Sequence, residues 1–247
     1  MLTQPGFMPA DLATPALDYE WDHGIVGKLG DPDEQPARLV KAIWAINYKA
    51  KMALALTSLE WVLWRLNGRT DITDPLQRIE AAWASTVDRR YSRALEFKDV
   101  RNDVVRKGNP DGLRQTALIR LHYLHFLFAK SRSAVEFESI ACVNLAHYVL
   151  PASAGFEPWL QRTLAALTAA YPVSASFDNT ARTYDHSGEP PIPRAWFESL
   201  TVPPDAAADR AAWDAFLRSL NPADNPYLVP ADEMRAEGFV GEPYRMP

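Results

Sequence analysis

Three side chains of this 247-residue sequence have the types and spacing for metal-assisted chemistry. His122 and His125 lie three residues apart, which on a helix puts both on one face. If that helix turns back near Arg132, Glu138 on the next helix falls beside His125. Two imidazoles and one carboxylate are a ligand set suited to zinc or manganese. The companions that define known sites of this kind are missing: there is no His-Glu-x-x-His and no paired Glu-x-x-His. Histidines beside tyrosines on an apolar helix are more often hydrogen-bonded packing residues. The sequence therefore ranks a helical enzyme built on His122, His125 and Glu138 second, behind a function without catalysis.

Other reactive groups point the same way. Glu60, in Leu59-Glu60-Trp61-Val62, is an acid on an otherwise apolar helix and needs a partner if buried. A core arginine such as Arg101 or Arg120 would serve, or the side chain would emerge near the helix end. A general acid or base is the functional alternative. Cys142, the one cysteine, rules out an internal disulfide, and His147 at i+5 is off its face. It reads as an inert buried thiol. No G-x-S-x-G, G-x-x-x-x-G-K-[ST] or G-x-G-x-x-G occurs, so no nucleotide-dependent chemistry and no cofactor are expected.

Charge is a stronger signal. Residues 1–36 hold 7 acids and 1 base, residues 37–171 hold 12 acids and 19 bases, and residues 172–247 hold 12 acids and 6 bases. The chain carries a net charge of −5, yet its middle carries +7. The basic residues concentrate at Arg89, Arg90, Arg93, Lys98 and Arg101, continuing to Arg106 and Lys107. Either the acidic ends pack on this stretch and neutralise it, or it stays open and attracts an acidic partner. Nucleic acid is disfavoured: the total charge is acidic, and RRM, KH and helix-turn-helix signatures are missing.

Proline maps the elements that carry these groups. Five of the 20 prolines lie in residues 1–36, eleven in residues 172–247, and only four between. Proline breaks helix interiors, so the middle is free to be helical and the ends are not free to form long helices. Five helices are expected: residues 38–67, ended by Gly68; 74 toward 107, with a bend near 96–99; 110–130; 133–149, opened by a Ser133/Glu136 capping box; and 157–171. Asp74-Pro75-Leu76-Gln77 carries cap, first-turn proline and capping-box glutamine for the second. The first helix is apolar around most of its circumference and belongs at the centre. No alternating β-branched runs occur. The expected fold is all-α: a bundle of about five main helices over residues 38–171.

The chain reads as a single domain over 1–247. Residues 1–36 form an acidic irregular arm and residues 37–171 the basic core. Residues 172–247 form an acidic, Pro-rich arm with short helices near 194–200, 205–220 and 230–237. Trp21, Trp196 and Trp213 lie in these arms; they either anchor the arms to the bundle or stand exposed to a partner. The N-terminus has no secretory pattern and no 18-residue apolar window exists, so a cytoplasmic protein without a membrane partner is expected. The combination suits a non-enzymatic protein-binding module. Its most concrete form is a bacterial immunity-type protein that neutralises a toxin by direct binding. Beside the metal-assisted enzyme, a self-associating scaffold is the third reading.

Overall fold

The computed structural model describes residues 2–97, 109–175, 177–178 and 180–246. Ten helices succeed one another among them: α1 (His23–Gly30), α2 (Ala37–Trp44), α3 (Tyr48–Arg65), α4 (Thr73–Val87), α5 (Pro110–Ala129), α6 (Val135–Val149), α7 (Phe156–Ala170), α8 (Trp196–Ser199), α9 (Ala206–Ser219) and α10 (Ala231–Ala236). No strand occurs among the described residues, in agreement with the all-α expectation. None of the helices is long and apolar enough to cross a membrane.

The centre is α3. Every one of its 18 residues except Trp64 is buried, as an all-round apolar helix requires. It packs against α4, α5 and most extensively α6. The α3–α6 contact is close: Ser139 Oγ on α6, whose one hydrogen is shared between the Val135 carbonyl at 2.8 Å and α3, lies 3.0 Å from the Lys51 carbonyl.

Burying α3 also buries four charged residues: Lys49, Lys51, Glu60 and Arg65. Three find partners on elements distant in sequence. Lys51 Nζ lies 3.4 Å from Glu136 Oε2 on α6 and 4.3 Å from the centre of the Phe177 ring. Arg65 donates to the Leu12 and Ala16 carbonyls of the N-terminal arm at 3.1 and 2.7 Å. Glu60 accepts from Trp83 Nε1 at 2.8 Å and from Arg194 of the C-terminal arm at 2.6 and 2.9 Å. Among the described residues the arginine paired with Glu60 is thus Arg194 and not the expected Arg120. Arg101 lies outside the described residues, and Arg120 pairs with Glu138.

Several boundaries differ from the sequence expectation. The first helix is not continuous over 38–67 but breaks at Ala45–Asn47. There Asn47 caps α3, its Oδ1 accepting from Ala50 N at 2.8 Å. The second helix ends at Val87 rather than near Lys107, because Asp88 takes an extended conformation and caps a short 3₁₀ turn, Arg89–Tyr91. α4 begins at Thr73, and Asp74 engages Arg78 and Tyr227 instead of capping. Ser133 does not form a capping box; its hydroxyl donates to Ala181 O, and Glu136 pairs with Lys51. The N-terminal arm is not wholly irregular, since it contains α1, capped by Asp22.

Both arms join the hydrophobic core, which runs from Leu2 to Tyr244. Three isolated antiparallel bridges, Ile46–Pro172, Ser92–Leu228 and Arg132–Thr183, stitch residues of the helical middle to the C-terminal arm. Trp21, Trp196 and Trp213 are all buried. Trp213 packs on Trp83 and donates to Pro191 O at 3.0 Å, while Trp196 meets Tyr171 edge-on at 5.5 Å. They anchor the arms rather than standing exposed.

Candidate functional site

The basic turn and the histidine pair, far apart in sequence, border one cleft of about 640 Å³. Its walls are the Arg89–Glu96 segment and the outer face of α5. The turn is positioned by Tyr91, which is buried, stacks on Tyr244 at 4.9 Å and donates through its hydroxyl to Arg245 O at 2.9 Å. With Tyr91 facing inward, Arg89, Arg90 and Arg93 beside it face outward. Beyond the turn the chain is extended and pairs with the C-terminal arm through Arg93 N to Tyr227 O (2.8 Å) and Val229 N to Tyr91 O (3.1 Å).

The two histidines fasten this segment to α5. His122 Nδ1 lies 3.1 Å from Leu95 O; a carbonyl only accepts, so Nδ1 carries the hydrogen. His125 Nε2 lies 3.2 Å from Ser92 Oγ, whose own hydrogen goes to Arg93 O at 2.8 Å. Nε2 of His125 is therefore the donor. Burial, then the neighbouring His122, pushes the pKa of His125 down to about 4, and the ring is neutral at pH 7. Glu138 is directed elsewhere: Arg120 holds it at 3.5 Å, and Arg120 also reaches Val26 O of α1 at 3.4 Å. His122, His125 and Glu138 are not gathered into a ligand set, and no group of three His, Cys, Asp or Glu residues suited to a metal occurs among the described residues.

The five basic residues have separate fates. Arg93 forms a two-pronged pair with Glu233 of α10 at 2.8 and 2.5 Å. Here the acidic arm does neutralise the basic core. Arg90 pairs with Asp88 at 2.6 Å and lies 4.2 Å over the Phe239 ring. Arg89 forms no hydrogen bond or ion pair among the described residues. Lys98 and Arg101 lie outside the described residues.

Two residues unnoticed in the sequence complete the cleft. Tyr123 and Phe126 on α5 are each 50% exposed. With Lys130 they run i, i+3, i+7, a single stripe facing outward. The signal was present as surplus: α5 is apolar on more faces than its neighbours can cover. Cys142, by contrast, behaves as expected, fully buried with its thiol pKa pushed up by desolvation.

The remaining surface grooves offer less. One of about 450 Å³ between α2 and α7 is mostly apolar, with His147 and Glu157 paired at 3.5 Å on its wall. Comparison with protein-family models, curated proteins and solved structures finds no match for this chain.

Proposed function

We propose that this is a non-enzymatic protein-binding module that engages an acidic partner through the cleft between Arg89–Glu96 and α5. The observation that carries the reading is the half-exposed pair Tyr123 and Phe126 beside Arg89, which forms no hydrogen bond or ion pair among the described residues. Aromatic and arginine side chains are the types that dominate binding energy at protein interfaces. An exposed aromatic stripe gains most when a partner covers it. Arg89, Arg90 and Lys130 on the same rim would speed association with an acidic surface.

The concrete form of this reading is an immunity-type protein that neutralises a bacterial toxin by occupying its surface. Such a role needs complementarity and no reacting group. The histidines of the cleft support it indirectly, because both have hydrogen-bond partners within the fold.

The test is affinity capture from the native cell with wild-type protein and two variants, Tyr123→Ala/Phe126→Ala and Arg89→Glu. One partner at near 1:1 is expected. The double variant should weaken it by about 2 kcal/mol or more, roughly 30-fold in Kd. A partner held equally by all three proteins would remove this cleft from the interface. A doubled mass in light scattering, with no foreign partner, would favour the self-associating scaffold.

A further inference from the structure

α2 is largely apolar, yet of its eight residues only Ile43 is buried. Trp44 is 40% exposed. Ala37, Val40, Lys41 and Trp44 follow at i, i+3, i+4 and i+7 and share a face. That face and the 3₁₀ turn Pro32–Glu34 before it border a groove of about 400 Å³, with Asp33 and Gln35 on the opposite wall. Both sides are held in place. Gln35 Nε2 donates to the Lys28 and Asp31 carbonyls at 2.7 and 3.2 Å. The far end of α2 is pinned by Asn47 N to Tyr171 O and Val173 N to Ala45 O. No residue of this groove belongs to the cleft between Arg89–Glu96 and α5.

The rim of the groove carries both signs of charge. Asp33 and Glu34 stand on the turn and Lys41 on the helix, all exposed. None of the three forms an ion pair among the described residues. A wholly acidic partner would meet Asp33 and Glu34, and a wholly basic one Lys41 and the neighbouring Arg38. The surface fits a partner that presents the same charges in reverse order. A second copy of this chain, turned end to end, does so.

We propose that two copies of this chain associate through α2, antiparallel, about a two-fold axis beside Ala37. The small side chain there lets the two helices approach closely. Lys41 of each copy then meets the partner's Asp33, and Val40 and Trp44 fill the partner's groove. Covering the exposed tryptophan supplies most of the driving force, since tryptophan buries a large area and is enriched among the residues that dominate interfaces. One short helix and one turn per copy make a small interface, so the dimer dissociates in the micromolar range. The proposal shares no residue with the protein-binding cleft and does not rest on it.

Light scattering of the full chain, followed with concentration to about 100 µM, should show the mass rising from one chain to two. Trp44→Ala should raise the dissociation constant about tenfold or more. Lys41→Glu or Asp33→Lys alone should also weaken the dimer. The two together should restore it, because each copy then offers the pair reversed. Both positions are exposed, so circular dichroism of these variants should match the wild type. Tyr123→Ala/Phe126→Ala should leave the mass doubled whatever it does to capture of a foreign partner, so failure of the cleft and failure of the dimer are read separately. A single-chain mass throughout, or a dimer unmoved by Trp44→Ala, would overturn the proposal. So would a dimer lost in Tyr123→Ala/Phe126→Ala, which would place the second copy in the cleft. Charge reversals whose effects add instead of cancelling would overturn the pairing of Lys41 with the partner's Asp33.

Discussion

A carboxylate sealed inside a helical bundle requires hydrogen bonds from groups sealed with it. Glu60 has them from Trp83 and Arg194, and its side chain is fully buried while that of Arg194 is 20% exposed. Removing the arginine leaves the carboxylate with one donor and no counter-charge. Arg194→Ala should therefore cost about 3–5 kcal/mol, whereas replacing both partners by apolar residues of similar volume should cost less. Urea unfolding of the single and double variants measures this. A loss below about 0.5 kcal/mol for Arg194→Ala would mean that water reaches Glu60 and the pair is a surface interaction. The need for a partner was legible in the sequence, since an acid stood among apolar helix residues. Its identity was not, because Arg194 is 134 positions away and nothing local singles it out.

The break between α2 and α3 is a matter of elements. Residues 38–67 contain no proline or glycine, and local propensity favours one helix. The C-terminal arm overrides it. Asn47 N donates to Tyr171 O, and Val173 N donates to Ala45 O, both at 2.9 Å. These bonds bind backbone groups at the break to the arm, and the Asn47 side chain closes the new helix end. Asn47→Ala should destabilise the protein by about 1–2 kcal/mol, the usual range for a lost cap. Helix content by circular dichroism should be nearly unchanged, because the Tyr171 and Val173 bonds remain. An increase in helix content without loss of stability would show that the cap, not the arm, enforces the break. A similar override ends α4: the inward anchoring of Tyr91 turns Arg89, Arg90 and Arg93 outward, where a continued helix would have distributed them around its faces.

At the scale of the whole molecule, the arms are structural parts of the bundle. The N-terminal arm supplies carbonyls to Arg65, and the C-terminal arm supplies Arg194 to Glu60 and covers Trp83 with Phe197 and Trp213. A chain ending after residue 189 should lose its cooperative melt and bind a hydrophobic dye, because Trp83 and Glu60 would be uncovered. A sharp transition within a few degrees of the full chain would mean that residues 1–189 fold without the remainder of the C-terminal arm. The same organisation explains the charge segregation only in part. Arg93–Glu233 joins a basic core to an acidic arm, but Arg194–Glu60 has the opposite polarity.

The amino-acid sequence alone determined the all-α class, most helix positions after residue 109, the central burial of α3 and the burial of Cys142. These follow from local rules: proline and glycine punctuation, caps and apolar periodicity act over a few residues. It also named Arg89, Arg90, His122 and His125, though for two unrelated sites. Only the tertiary structure put those four on one cleft, sent Glu138 to Arg120, and exposed Tyr123 and Phe126. Each of those outcomes depends on which distant segment covers which face, and on the backbone and charge partners that segment brings. Helical periodicity contains no information about that choice.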